Sequence, residues 1–76
     1  MNNPRRKELR RAMELMAEAR EIIEAMADEE QESFDNMPEG LQESERGETI
    51  QEKADSLSEI RDELEDLEER LEEVIE

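Results

Sequence analysis

The chain contains no cysteine, histidine, tyrosine or tryptophan, and Phe34 is its only aromatic residue. Without these residue types it has no disulfide, no thiolate nucleophile, no imidazole base and none of the soft ligands that zinc prefers. Glutamate and aspartate could still bind Mg²⁺ or Ca²⁺, but they are so numerous that no pair stands out as a site. The sequence predicts a protein that is not an enzyme and that holds no metal or cofactor.

Long apolar runs are also missing. No stretch approaches the roughly 18 apolar residues of a membrane span, and the basic opening segment is not followed by the apolar part of a signal peptide. We therefore expect a soluble, intracellular protein with no membrane partner. Because 76 residues with one aromatic side chain cannot form a large core, we also expect the chain to associate with itself.

Charge is distributed unevenly along the chain. Residues 1–27 carry six basic and five acidic side chains, whereas residues 28–76 carry four basic and twenty-one acidic ones, and the formal net charge is -16. Such a surface repels polyanions and attracts basic partners. The composition therefore predicts no direct binding of nucleic acid and favours a partner protein with a basic surface.

The first third of the chain has the pattern of an amphipathic helix, predicted over about residues 4–32. Asn3 is expected to cap it, with Pro4 at the first helical position. Leu9, Met16 and Ile23 recur every seven residues, which places them on one face. Ala12, Ala19 and Met26 are interleaved with these three residues on the same face, at steps of three and four. A second stripe beside it, formed by Leu15 and Ile22, widens the apolar arc, with Met13 and Ala27 on the opposite flank. The first helix is therefore expected to contact more than one neighbour.

The middle of the chain, about residues 33–46, is predicted to be the connection between two helices. It contains Pro38 and Gly40, and Asn36 with Glu39 has the spacing of a capping box. A second helix is predicted over about residues 47–76. Its apolar residues follow alternating steps of mostly three and four, as in a coiled coil: Ile50, Ala54, Leu57, Ile60, Leu64, Leu67, Leu71 and Val74.

Two helices of similar length predict an all-α fold in which they pair as an antiparallel helical hairpin. The proposed register places Leu9 opposite Leu71, Met16 opposite Leu64, Ile23 opposite Leu57 and Met26 opposite Ala54. It also brings the basic run Arg5, Arg6, Lys7, Arg10 and Arg11 beside the acidic segment 65–73. Packing through the second stripe of the first helix would give a dimeric four-helix bundle or a higher homo-oligomer. A parallel pairing of the second helix with its own copy is the alternative, but it aligns many glutamates.

Charged residues supply two candidate binding sites. Rows of carboxylates on the second helix could imitate a phosphate backbone and bind a basic partner, although a merely solubilising surface would have the same sequence. The predicted partner-binding residues are Glu59, Asp62, Glu63, Asp66 and Glu69. Arginines could instead bind a small anionic ligand at an oligomer interface, and the candidates are Arg5, Arg6, Arg10 and Arg46.

The thirteen residues 36–48, NMPEGLQESERGE, resemble the central segment of small acidic helical proteins encoded by phages and prophages. The resemblance implies an accessory factor in the host cytoplasm that binds host proteins or defence signals, but it carries no established activity. Three function classes follow. The preferred one is a counter-defence protein that blocks or titrates a host protein through its acidic surface. The alternatives are a sponge for a small anionic nucleotide signal and a structural or assembly protein.

Overall fold

The computed structural model describes all residues from Met1 to Glu76, and every regular element in it is a helix. Helix α1 spans Asn3–Asp35, the single-turn helix α2 spans Glu39–Gln42, and helix α3 spans Glu45–Ile75. Helices α1 and α3 pack along their length, so the predicted helical hairpin is confirmed. Each long helix extends further into the connection than the sequence pattern indicated.

The helix ends explain these differences. The N-cap of α1 is Asn2 rather than Asn3, because the side chain of Asn2 accepts a hydrogen bond from the backbone N–H of Arg5 at 2.9 Å. Helix α3 begins before residue 47 because Ser44 caps it, accepting a hydrogen bond from the backbone N–H of Gly47 at 3.2 Å. Such side-chain oxygens satisfy N–H groups that have no partner within the helix.

The predicted capping box of Asn36 and Glu39 is wrong. Asn36 ends α1 instead, and its backbone N–H donates to the carbonyl oxygen of Glu32 at 2.9 Å. The residue before α2 is Pro38, which provides no side-chain cap. Gln42 then ties α2 back to α1, since its side-chain amide donates to the carbonyl oxygen of Phe34 at 3.0 Å.

Helix α2 packs so closely on the start of α3 that only glycine fits at the contact. A Cβ atom built on Gly47 would lie 2.6 Å from the carbonyl oxygen of Leu41 and closer still to that of Gln42. Both atoms belong to the backbone, so they cannot rotate away as a side chain would. Gly47 is accordingly buried, and its lack of a side chain allows the chain to enter α3 directly from α2.

The hairpin seam is the strip along which α1 and α3 face each other. The fully buried apolar residues of the chain are Ala27, Ala54 and Ile75. Ala27 and Ala54 are small, which lets the two helices approach closely near the connection. The expected pairing of Met26 with Ala54 is wrong in this detail, because Met26 is exposed while the neighbouring Ala27 is buried.

On α3 most buried and half-buried residues follow steps of three and four from the first turn to the last, with Gln51 and Ser58 half-buried beside them: Gly47, Ile50, Ala54, Leu57, Arg61, Leu64, Glu68, Leu71 and Ile75. The predicted seam had Ile60, Leu67 and Val74 where Arg61, Glu68 and Ile75 lie. Those three apolar side chains are instead exposed, with Val74 60% exposed. The helix is therefore rotated about its axis relative to the predicted seam.

Cross-helix hydrogen bonds establish the register. Gln31 and Gln51 each donate a side-chain N–H to the other's side-chain oxygen, at 3.1 and 2.8 Å. At the other end the Nε of Arg6 donates to the carbonyl oxygen of Ile75 at 3.1 Å. These pairings lie within two residues of the register predicted from Leu9 and Leu71. The hairpin measures 58 × 15 × 12 Å, and none of its helices has an apolar stretch that could cross a bilayer.

Candidate functional site

Helix α1 carries an apolar stripe that does not face α3. Leu15 and Ile22 are 48% and 63% exposed, and Met26 is also exposed. Ala12 and Ala19 complete the stripe at spacings of three and four. Leu15 and Ile22 of the predicted second stripe therefore lie on the surface of the hairpin. The expected place of Ala19 and Met26 on the face of Leu9 is wrong, because both are exposed beside Leu15 and Ile22.

Helix α3 has a matching stripe on the same side of the hairpin. Met26 of α1 and Lys53 of α3 line one groove near the connection. Ile60, Leu67 and Val74 follow Lys53 at intervals of seven, and seven-residue intervals keep side chains on one side of a helix in a hairpin. Both stripes thus form a single surface, which we name the apolar face: Ala12, Leu15, Ala19, Ile22, Met26, Ile60, Leu67 and Val74.

The groove at the connection end of the apolar face has both apolar and charged walls. Met26 and Leu57 line it on its apolar side. Lys53 lies in the same groove as Glu29 and Glu30, and it is one of only two basic residues between positions 21 and 60. This end of the apolar face therefore carries a single positive charge among carboxylates.

The five predicted partner-binding carboxylates lie together on α3. All five are exposed, and their spacing of three and four residues places them on the edge of α3 that faces away from α1. Asp62 contacts a basic group, since the guanidinium of the neighbouring Arg61 lies 3.0 Å from its Oδ1 atom. We name this surface the acidic ridge: Glu59, Asp62, Glu63, Asp66 and Glu69.

Charged residues also lie inside the seam, where the sequence pattern did not indicate them. The Nε of Arg20 donates to Glu68 at 2.7 Å, and both side chains are mostly covered, at 28% and 14% exposure. This hydrogen bond, together with the negative charge of Glu68, raises the pKa of Arg20 above its ordinary value. The pair has a structural role, because it joins the two helices near the middle of the hairpin.

A second cross-helix ion pair joins Arg61 of α3 to Glu24 of α1 at 3.6 Å. The predicted register brings the basic start of α1 beside the acidic segment 65–73 of α3, but no ion pair joins the two segments. Arg6 binds a backbone carbonyl oxygen, and Arg11 contacts Glu14 of its own helix at 3.7 Å. The two charged segments lie at the same end of the hairpin, where Arg10 lines one groove together with Glu72 and Glu76.

The four candidate anion-binding arginines do not converge within one chain. Arg5, Arg6 and Arg10 lie near the chain termini, whereas Arg46 lies in the first turn of α3, at the connection end. The two positions are separated by most of the 58 Å length of the hairpin. Arg6 already has partners, since it also donates to the side chain of Asn3.

Arg20, Arg61, Glu68, Gln31 and Gln51 were missed as contact residues because their side chains are polar. One sequence signal could have identified part of this set. Residues 47, 54, 61, 68 and 75 recur every seven positions and begin with glycine and alanine. They predict the seam of α3 correctly once arginine and glutamate are accepted at seam positions. A comparison of the chain with protein families, with curated proteins and with solved structures found no match.

Proposed function

We propose that this protein is a non-catalytic binding protein that works as an assembly of two hairpins. In this proposal a second copy covers the apolar face, and the acidic ridge of each copy stays on the outside, where it binds a protein with a basic surface. The observation that carries the proposal is the position of the two surfaces. The apolar face lies on one side of the hairpin, and the acidic ridge lies on the outer edge of α3, away from α1.

The surface area of the hairpin supports self-association. The chain exposes 5892 Å², whereas a compact monomer of 9.0 kDa exposes about 4,900 Å². The excess of about 1,000 Å² is close to the roughly 800 Å² that each partner buries in a standard protein interface. Large exposed side chains such as Ile22 and Val74 lie within this surface. Contiguous apolar patches of this kind mark interaction sites in soluble proteins.

The acidic ridge supports a basic protein as the external partner. Five exposed carboxylates on a straight helix form a row of negative charge, and an electrostatic surface of one sign steers a partner of the opposite sign. The blocking of a host protein, which the resemblance of residues 36–48 to phage proteins implies, is one form that such binding takes in this proposal.

Sedimentation of graded concentrations tests the self-association. The wild type is expected to reach twice the 9.0 kDa mass of one chain. The Ile22→Glu variant is expected to sediment with the mass of a single chain. Ala25→Glu is the matched control, because Ala25 is exposed on the same helix but lies outside the apolar face. A wild type that sediments as a single chain at every concentration contradicts the proposal.

Capture experiments test the acidic ridge. The wild type is compared with a variant in which all five ridge residues are replaced by lysine. The control variant has the same charge change on exposed positions of α1: Glu14, Glu18, Glu21, Asp28 and Glu32. A protein captured by the wild type and the control, but not by the ridge variant, is then purified. Its binding is expected to weaken steeply as salt rises.

Equal capture by the ridge variant and the wild type contradicts the role of the ridge. Native mass spectrometry of the protein purified from its natural cells separates the alternative functions. A retained nucleotide would favour the sponge, and a homo-oligomer without any partner would favour a structural protein.

A further inference from the structure

We infer that the second copy packs on the apolar face with its connection at the same end as that of the first, so that α1 of each copy lies against α3 of the other. This inference rests on the proposed self-association. It adds the alignment of the two hairpins, which determines where the two acidic ridges lie. The opposite alignment, with the connections at opposite ends, places α1 against α1 and α3 against α3.

The levels of the apolar residues support the inferred alignment. The hydrogen bonds between Gln31 and Gln51 place these two residues at the same height along the hairpin. An equal number of residues counted from them along each helix then gives the same height for Ile22 and Ile60, and for Leu15 and Leu67. When the connections lie at the same end, the exposed apolar side chains of α1 therefore meet those of the partner's α3 at the same height. Apolar side chains at one height of the first hairpin thus contact apolar side chains at the same height of the second, as in the layers of a four-helix bundle core.

The charges of the two helices favour the same alignment. Helix α1 carries six basic and ten acidic side chains, whereas α3 carries four basic and thirteen acidic ones. With the connections at the same end, the more acidic α3 always faces the less acidic α1. The opposite alignment brings the two α3 helices against each other, and like charges across a helix interface are unfavourable.

Individual side chains at the edge of the apolar face agree with this result. In the inferred alignment Glu29 is level with Lys53 of the partner subunit, so opposite charges meet. In the opposite alignment the two α1 stripes are centred on Ala19, and the acidic pair at positions 29 and 30 then lies near the level of Glu8 and of the basic residues Lys7, Arg10 and Arg11. The contact between Glu29 and Lys53 of the partner subunit is thus specific to the inferred alignment, whereas the opposite alignment offers Glu29 the basic residues at the start of α1.

The inferred alignment has a cost that is itself measurable. It places two connection ends together, and residues 21–60 of each chain carry fourteen acidic and two basic side chains. Most of these charges are exposed, and at physiological ionic strength their repulsion is screened over about 8 Å. The dimer is therefore expected to become tighter as salt is raised, by roughly tenfold for each 1.4 kcal/mol of repulsion that is screened.

A single spin label at the connection tests the alignment. The chain has no cysteine, and a Cβ atom at Gly40 meets nothing within 4 Å, so Gly40→Cys introduces one label without a clash. Pulsed electron spin resonance then measures the distance between the two labels of a dimer. We expect a distance of less than about 30 Å, since neighbouring helices lie about 10 Å apart. The signal must disappear when labelled protein is diluted into an excess of unlabelled protein.

Each outcome separates this inference from the proposed function. A distance near the 58 Å length of the hairpin overturns the inferred alignment but leaves the self-association intact. A mass of three or more chains also overturns the two-hairpin alignment. A single-chain mass in sedimentation, with no distance between labels, shows that the self-association itself has failed. A dimer with the short distance supports both.

Discussion

The contact at Gly47 leads to a quantitative prediction about the connection. Replacing Gly47 with alanine adds a Cβ atom 2.6 Å from the carbonyl oxygen of Leu41 and closer to that of Gln42. Ordinary contacts between carbon and oxygen are longer, so the backbone of α2 must move. Two hydrogen bonds oppose this movement, the cap made by Ser44 and the bond from Gln42 to the carbonyl oxygen of Phe34.

Three effects determine the size of the change in stability. Alanine is favoured over glycine within a helix by about 1 kcal/mol. Displacement of α2 is expected to remove the Ser44 cap, at about 1 kcal/mol, and the Gln42 hydrogen bond, at about 1 kcal/mol. Overpacking against a fixed backbone adds about 1 kcal/mol or more. The net result is a loss of about 2 kcal/mol in the free energy of unfolding, so the unfavourable effects outweigh the gain in helix propensity.

Urea unfolding followed by circular dichroism at the helix band measures this loss, because the chain has no tryptophan to report by fluorescence. With the urea dependence typical of small proteins, the midpoint is expected to fall by roughly 1 M. Gly40→Ala is the matched control. Gly40 is also helical but has open space around it, so this variant is expected to gain up to about 1 kcal/mol. A midpoint for Gly47→Ala at or above that of the wild type would refute the close approach of α2.

Three further predictions concern the contacts that hold the hairpin together. Ser44→Ala is expected to lower the free energy of unfolding by about 1 kcal/mol through loss of the cap. Ser44→Thr keeps the hydroxyl that accepts from Gly47 and donates to Leu41, so it should retain most of that free energy in the same urea titration. A double-mutant cycle on Arg20→Met and Glu68→Gln should show favourable coupling, because their hydrogen bond crosses the seam; additive effects would contradict a direct interaction. Gln51→Ala alone should lower the free energy of unfolding by about 1 kcal/mol, because it leaves Gln31 without its partner. Replacing Gln31 and Gln51 together with leucine should leave thermal stability nearly unchanged. An equal loss of stability in both variants would argue against the paired hydrogen bonds.

Much of the secondary structure follows from local features of the sequence. Repeats of three and four residues, an asparagine beside Pro4 and a cluster of turn formers around Pro38 are sufficient to predict two long helices and their connection. Helix boundaries were less accurate, because two adjacent residues, Asn2 and Asn3, can both serve as a cap. The choice between them depends on backbone geometry that neither residue type determines.

The candidate surfaces were predictable to different degrees. The acidic ridge could be identified from the sequence, since charged residues at Glu59 and Asp66 remain exposed whichever apolar stripe faces α1. The exposure of Ile60 and Leu67 could not be predicted from the sequence, because a repeat of apolar residues shows their spacing but not which neighbouring helix they face.

The helices, their antiparallel pairing and the approximate register are predictable from the sequence, because they depend on periodicity, length and turn residues along the chain. Which stripe of each helix forms the seam depends instead on contacts between the two helices. Arg61 and Glu68 occupy seam positions because they form ion pairs with Glu24 and Arg20 of α1. The pattern of a single helix does not show such partners on another helix. With Arg61 and Glu68 at seam positions, Ile60, Leu67 and Val74 are left on the surface, where they form the α3 part of the apolar face.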